Sequence, residues 1–203
     1  MKLIDGLKLE GTPAYIPDCS RDDLPEFFVE MGYKTGVEVG TYRGEFTELF
    51  CKAGLVMFTV DPWIVFAGGT PRYQNQHDDN YEITKDRLSK YSNCTIIRKT
   101  SMEAVEDFKD GSLDFVYLDG NHSFRYVADD LWEWSKKVRK GGIVSGHDLH
   151  NSIPSAQNIL IHVKAVVECY TKLFKMERWY CLGQRFPGSN ERRDANLSWM
   201  WIK

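Results

Sequence analysis

Glu38 is a carboxylate inside an otherwise apolar run, and the glycine-bearing turn Gly40-Thr41-Tyr42-Arg43-Gly44 follows it directly. A buried acid is costly to desolvate unless it meets a cation or several hydrogen-bond donors. Gly40 and Gly44 let the backbone bend sharply and let a ligand approach closely, and the unpaired amides of the helix that follows suit an anionic group. An acid beside such a turn fits a ligand with a positive and a negative end; the alternative is a spacer in which Glu38 pairs with a lysine. Asp61, about 20 residues past the turn, can accept hydrogen bonds from both hydroxyls of a ribose, or simply cap the next loop. Asp119 closes a further apolar run, and the segment GIVSGHD delivers His147 and Asp148 in the same way.

The elements that must place these groups alternate. Val37 and Val39, Leu55 to Asp61, Cys94 to Thr100, Ser112 to His122 and Gly142 to Asp148 read as five strands. Phe46, Leu49, Phe50 and Ala53 share one helical face, as do Phe124, Val127, Leu131, Trp134 and Val138. Further helices are expected from Asp22 to Met31, Tyr81 to Tyr91 and Ser155 to Thr171, with Ser101 and Met102 opening another. Phe174 to Leu182 and Leu197 to Lys203 then form an antiparallel hairpin around loop 183–196. This order predicts an α/β fold, a Rossmann-like, doubly wound, mostly parallel seven-stranded sheet with a C-terminal antiparallel hairpin. In an open sheet of this kind ligands bind at the carboxyl ends of the strands, where every acid named above is expected. Residues 1–21 read as irregular, and 64–80 as a polar loop forming an active-site flap, with His77 a solvated loop histidine. Lys136, Lys137, Arg139 and Lys140 complement the end of a helix that Gly141 and Gly142 stop.

The 203 residues, 42% hydrophobic, allow one substantial core, and a net charge of −3 gives no drive toward nucleic acid or an anionic membrane. Five scattered cysteines without a C-x-x-C pair suggest neither disulfides nor structural zinc. The charges interrupting MKLIDGLKLEG and the lack of a long apolar stretch point to a soluble, cytoplasmic protein.

GVEVGTYRGEFT, VDPW, FVYLDGNHSFRYVADDLWEW and KKVRKGGIVSGHD, in that order, resemble the class I S-adenosylmethionine-dependent methyltransferases, in a subgroup containing small-molecule and sugar O-methyltransferases. The resemblance implies a single methyltransferase-like domain over 33–203, with 1–32 an N-terminal extension and cap helix. It implies S-adenosylmethionine as cofactor, with Glu38 and Gly40 at its methionine end, Gly44 shaping the turn, Asp61 on the ribose, Trp63 by the adenine, Ser101 and Met102 at the adenine edge, and Thr41, Tyr42 and Asp119 as further contacts. Methyl transfer to a hydroxyl needs alignment and a base, for which His147 and then His122 are the candidates. A competing route uses a divalent cation such as Mg2+, with Asp119 and Asp148 as ligands and His147 or His122 completing the site. The expected partner is a small-molecule or sugar acceptor, with no nucleic acid and no membrane, and a homo-oligomer is left open. A nicotinamide-dependent oxidoreductase would need the G-x-G-x-x-G fingerprint that is missing here; a non-catalytic subunit that keeps the cofactor fold is the other alternative.

Overall fold

Alternating apolar runs and amphipathic stretches assemble into one sheet covered on both faces. The computed structural model describes residues 1–66, 73–152, 161–185, 193–194 and 196–203. Its strands are β1 (Ala14–Tyr15), β2 (Thr35–Val39), β3 (Val56–Val60), β4 (Cys94–Ile97), β5 (Leu113–Leu118), β6 (Val138–Gly146), β7 (Tyr180–Leu182) and β8 (Ser198–Ile202). The helices are α1 (Leu3–Gly6), α2 (Leu24–Glu30), α3 (Glu45–Lys52), α4 (Gln74–Leu88), α5 (Ser101–Ala104), α6 (Phe124–Lys137) and α7 (Val163–Leu173). The sheet runs β1-β7-β8-β6-β5-β2-β3-β4, with β8 antiparallel to both β6 and β7 and the other pairs parallel. The parallel sheet and closing hairpin are as expected from the sequence, and β1 adds an eighth strand at one edge.

Because side chains alternate along a strand, β5 feeds two cores. Val116 and Leu118 join Val37, Val39 and Val144 beneath Leu131 and Trp134 of α6 and Val163 and Val167 of α7. Phe115 and Tyr117 join Met57, Ile143 and Met200 beneath α2 and α3. Phe28 of α2 anchors that second face, its ring centroid 4.4 Å from that of Phe115 and stacked on Phe50 at 5.8 Å.

Several boundaries differ from the sequence reading. Residues 1–21 are not irregular throughout: α1 packs Leu3 into the core, and β1 is added beside β7. The expected flap is partly helix. Residues 67–72 lie outside the described residues, but α4 begins at Gln74, so His77 is helical rather than in a loop. The charged helix expected from Tyr81 to Tyr91 is thus present but begins at Gln74 and ends at Leu88; its buried stripe Asn80, Thr84 and Leu88 is mostly polar, with Asn80 Oδ1 accepting from Arg43 and the Thr84 hydroxyl donating to the Tyr42 carbonyl, so an apolar-period search does not extend it back over its first turns. The helix expected from Ser155 falls partly on 153–160, outside the described residues, and otherwise begins at Val163. Of the strand expected from Phe174, only Tyr180–Leu182 is formed. Helix α6 ends at Lys137, and Arg139 and Lys140 belong to β6; Arg139 pairs with Asp114 at 2.7 Å, while Lys203 Nζ caps the helix end by donating to the carbonyls of Ser135 and Val138. Among the described residues no helix is long and apolar enough to cross a membrane.

Truncation of Phe28 to Ala should cost about 3–5 kcal/mol of stability, as for other buried aromatic deletions, read as a lower urea midpoint. A loss below about 1 kcal/mol would show that the α2 face is not part of the cooperative core.

Candidate active site

The strand order reverses between β2 and β5, whose carboxyl ends diverge into connections on opposite sides. The two stay close at one point. Gly40 N donates to the Val60 carbonyl at 2.8 Å and Asp119 N to the Val39 carbonyl at 2.7 Å. A Cβ on Gly40, whose φ is +96°, would stand 2.1 Å from the Asp119 carbonyl oxygen. Gly40 is therefore required by its neighbour strand as well as by any ligand.

Outside this contact lies a cavity of about 510 Å³. Gly40, Tyr42, Asp61, Trp63, Ser101, Met102, Asp119 and His122 line it, so most of the residues expected at a cofactor site share one space. Asp61 is fixed at both oxygens, Oδ2 accepting from Tyr42 N at 3.0 Å and Oδ1 from Trp63 N at 2.8 Å. Burial raises this carboxyl above its ordinary value, against the same amides, which lower it. Each oxygen keeps lone pairs for ligand hydroxyls. The Trp63 indole donates to the Tyr42 carbonyl at 2.8 Å and packs against Tyr81. Tyr42 and Trp63 both sit at positive φ, 53° and 48°, held there by these bonds.

Glu38, Thr41 and Gly44 are not among the lining residues. Glu38 points to the α3 face, where its Oε2 accepts from the hydroxyl of Thr47 and, at 3.4 Å, from that of Thr59. Thr41 bonds Thr59 in the same buried group, and Gly44 packs on Leu88 and Thr84 of α4. Burial pushes the Glu38 carboxyl up to about 8, so near neutral pH it is largely protonated. The cluster pins the start of α3 to β2 and β3.

On the other side of Asp119 a second group gathers. One ligand atom each from Asp119, His122 and Asp148 lie within 4.8 Å of one another. His122 Nε2 is 3.0 Å from Asp148, and His147 Nδ1 is 3.5 Å from Asp148 and 3.8 Å from Asp119. His147 Nε2 faces Asp194 at 3.4 Å, Arg21 bridges Asp194 and Asp119 at 3.3 and 3.6 Å, and Asn196 donates to Asp148 at 2.5 Å. Burial alone would lower the His147 imidazole, but its bonds to Asp148 and Asp194 and the charge of Asp119 carry it up to about 10. Burial lifts Asp119 to about 6, against the pull of His147 and His122. For Asp148 burial is outweighed by the two histidines, which hold it well below the carboxylate range.

Sequence reasoning missed Arg21, Asp194 and Asn196, which come from remote segments and carry no local signal. It also missed Asp130 and His77, both lining the cavity. Asp130 did carry a signal: a carboxylate on the α6 face that buries Val127, Leu131 and Trp134.

A family model described as "Methyltransferase domain" matches residues 37–149. An uncharacterized protein of Sinorhizobium fredii, y4gI, is 29% identical over 119 residues, 55% of this chain; the chain spans 13% of that curated relative's length. An O-methyltransferase from Bacillus cereus, solved in complex with SAH, aligns over 90% of this chain and 80% of its own with a TM-score of 0.61 and 13% identity. The O-methyltransferase TomG from Streptomyces achromogenes, involved in tomaymycin synthesis and solved with SAM, aligns over 90% and 79% with a TM-score of 0.60 and 12% identity. The chain belongs to the methyltransferase domain family, and its fold is that of the class I S-adenosylmethionine-dependent methyltransferases.

A folded-state value above the unfolded one means that the Glu38 contribution to stability is whole below about 4.5 and is lost as pH rises toward about 8. Glu38→Gln should therefore raise the Tm at pH 8 by several degrees and change it little at pH 4, measured by thermal unfolding across pH; equal shifts at both ends would contradict the assignment.

Proposed function

We propose that this chain is an S-adenosylmethionine-dependent O-methyltransferase whose acceptor is a hydroxyl of a small molecule or sugar, with residues 33–203 as the catalytic domain and 1–32 as a cap that supplies Arg21. The observation that carries the reading is the pairing of one cavity, in which Asp61 is held by two amides, with an acid and histidine group on the far side of Asp119. The cofactor's ribose hydroxyls match the lone pairs left on Asp61, and the cavity volume suits a nucleoside. When bound, S-adenosylmethionine supplies a methyl carbon on a sulfonium. The protein's part is to exclude water from the cavity, hold the acceptor oxygen in line near Asp119, and assist loss of its proton.

Asp119, His122 and Asp148 offer two carboxylates and an imidazole, a donor set that fits a divalent cation. Held there, the cation would make the acceptor hydroxyl more acidic. This reading is favoured over a histidine base by the charge around His147. With Asp148, Asp194 and Asp119 about it, His147 keeps its proton at neutral pH and balances the carboxylates instead of accepting a proton.

Calorimetry should detect S-adenosylmethionine binding that Asp61→Asn weakens roughly tenfold or more, since a charge-assisted pair to a ribose hydroxyl is lost. No binding to well-folded wild type would remove the proposal. In turnover assays against a panel of hydroxylated acceptors, EDTA should abolish methylation and added Mg2+ or Mn2+ restore it. Turnover unchanged in EDTA and rising with pH from 7 toward 10 would instead identify His147 as the base.

A further inference from the structure

Two cysteines far apart in the sequence are brought together by the packing of α3 on the sheet. Cys51 lies in the last turn of α3 and Cys94 is the first residue of β4, and both pack in the core beneath α2 and α3. Asn93 sets their spacing. Its side-chain amide donates to the Cys51 carbonyl at 3.0 Å and to the Leu55 carbonyl at 2.8 Å, which clamps the end of the helix against the start of the strand. Across that clamp the two thiols hydrogen-bond to each other. Neither lines the cavity or belongs to the charged group beside Asp119.

The pair is asymmetric. Cys51 is buried, whereas β4 is the edge strand of the sheet and Cys94 is partly open to solvent. The bond between them lowers the Cys94 thiol, against burial, and together with burial raises Cys51, so Cys51 holds the shared proton. The more exposed and more acidic thiol is the one that meets an oxidant, and the buried one is placed to resolve it. We propose that Cys51 and Cys94 form a reversible thiol–disulfide site whose oxidant is a peroxide. The Cys94 sulfur attacks one oxygen of hydrogen peroxide, the O–O bond breaks, and a sulfenic acid and one water result. The Cys51 sulfur then displaces the sulfenic hydroxyl, which leaves as a second water while the S–S bond forms. Two thiols are oxidised and one peroxide is reduced; a dithiol reductant reverses the step by exchange. The effect follows from where the bond lies. Helix α3 connects the parallel strands β2 and β3, so its last turn returns to the amino edge of the sheet, opposite the edge that carries the cavity. The bond closes the loop 52–93, which contains β3, Asp61, Trp63 and α4, and it removes freedom from the unfolded chain without entering the site.

The experiment treats the reduced full chain with stoichiometric hydrogen peroxide and follows intact mass, the peptide map without reductant, and thermal unfolding. Wild type should lose the mass of two hydrogens, yield a linked peptide joining Cys51 to Cys94, and gain on the order of 5 °C or more in Tm, all reversed by dithiothreitol. Cys94→Ala and Cys51→Ala should each abolish the bridge and the Tm gain. The linked peptide is read on wild type, so it stands even where a variant fails to fold. Failure to form the bridge, oxidation of Cys94 onward to a sulfinic acid, or a bridge made instead by the exposed Cys169 would overturn the inference. So would a Cys51–Cys94 bridge with no gain in Tm, or a gain that survives in folded Cys94→Ala. None of these measurements uses the cofactor, so the outcome is separate from that of the functional reading above.

Discussion

The close approach of the turn after β2 to the end of β5 is the constraint on which the rest depends. With no side chain on Gly40, the backbone of that turn can lie against the Asp119 carbonyl, and the amides of residues 40 and 119 each complete a ladder with a neighbouring strand. Beyond that contact the two connections separate, and the space they leave is the cavity. The same contact sets Asp119 at the boundary between a cavity lined by Asp61, Trp63 and Ser101 and a charged group built from His122, His147 and Asp148.

Around that boundary, charge is balanced across segments distant in the chain. Arg21 from the turn before α2, Asp194 and Asn196 from the segment before β8, and His147 and Asp148 from the end of β6 meet through a continuous set of ion pairs and hydrogen bonds. Asp148 adopts a φ of 52°, in the same left-handed region as Tyr42 and Trp63. Backbone held in sparsely populated conformations is stable only where its surroundings over-determine it. For Asp148 those surroundings are His122, His147 and Asn196. The N-terminal segment is thus tied to the site electrostatically through Arg21, as well as through the apolar packing of α2.

Two buried carboxyls show how one residue type takes two roles. Glu38 and Asp130 are both acids on otherwise apolar faces, and burial raises both, to about 8 and about 7. Glu38 is met by threonine hydroxyls from α3 and β3 and serves to join those elements. Asp130 is met by one serine and otherwise faces the cavity. The difference lies in what stands opposite, which depends on sheet register and helix position and not on the local sequence.

Local order was written in the sequence wherever a face is buried. The alternation of β5, the stripes of α3 and α6, and the acids ending β3 and β5 follow from the requirement that apolar surface leave water and that strand-end polar groups reach it, so the sheet and the strand-end part of the cavity lining were legible. The charged helix from Tyr81 was legible too, but the first turns of α4 before it were not: the buried positions Asn80 and Thr84 are polar and are satisfied by Arg43 and the carbonyl of Tyr42, partners that exist only once the chain has folded. The same holds for Glu38, whose neighbours turned it toward α3, and for Arg21 and Asp194, brought to Asp119 by the packing of segments near opposite ends of the chain. Hydrophobic periodicity is a local property that a sequence displays directly. The pairing of buried polar groups is a long-range one, and only the tertiary structure decides it.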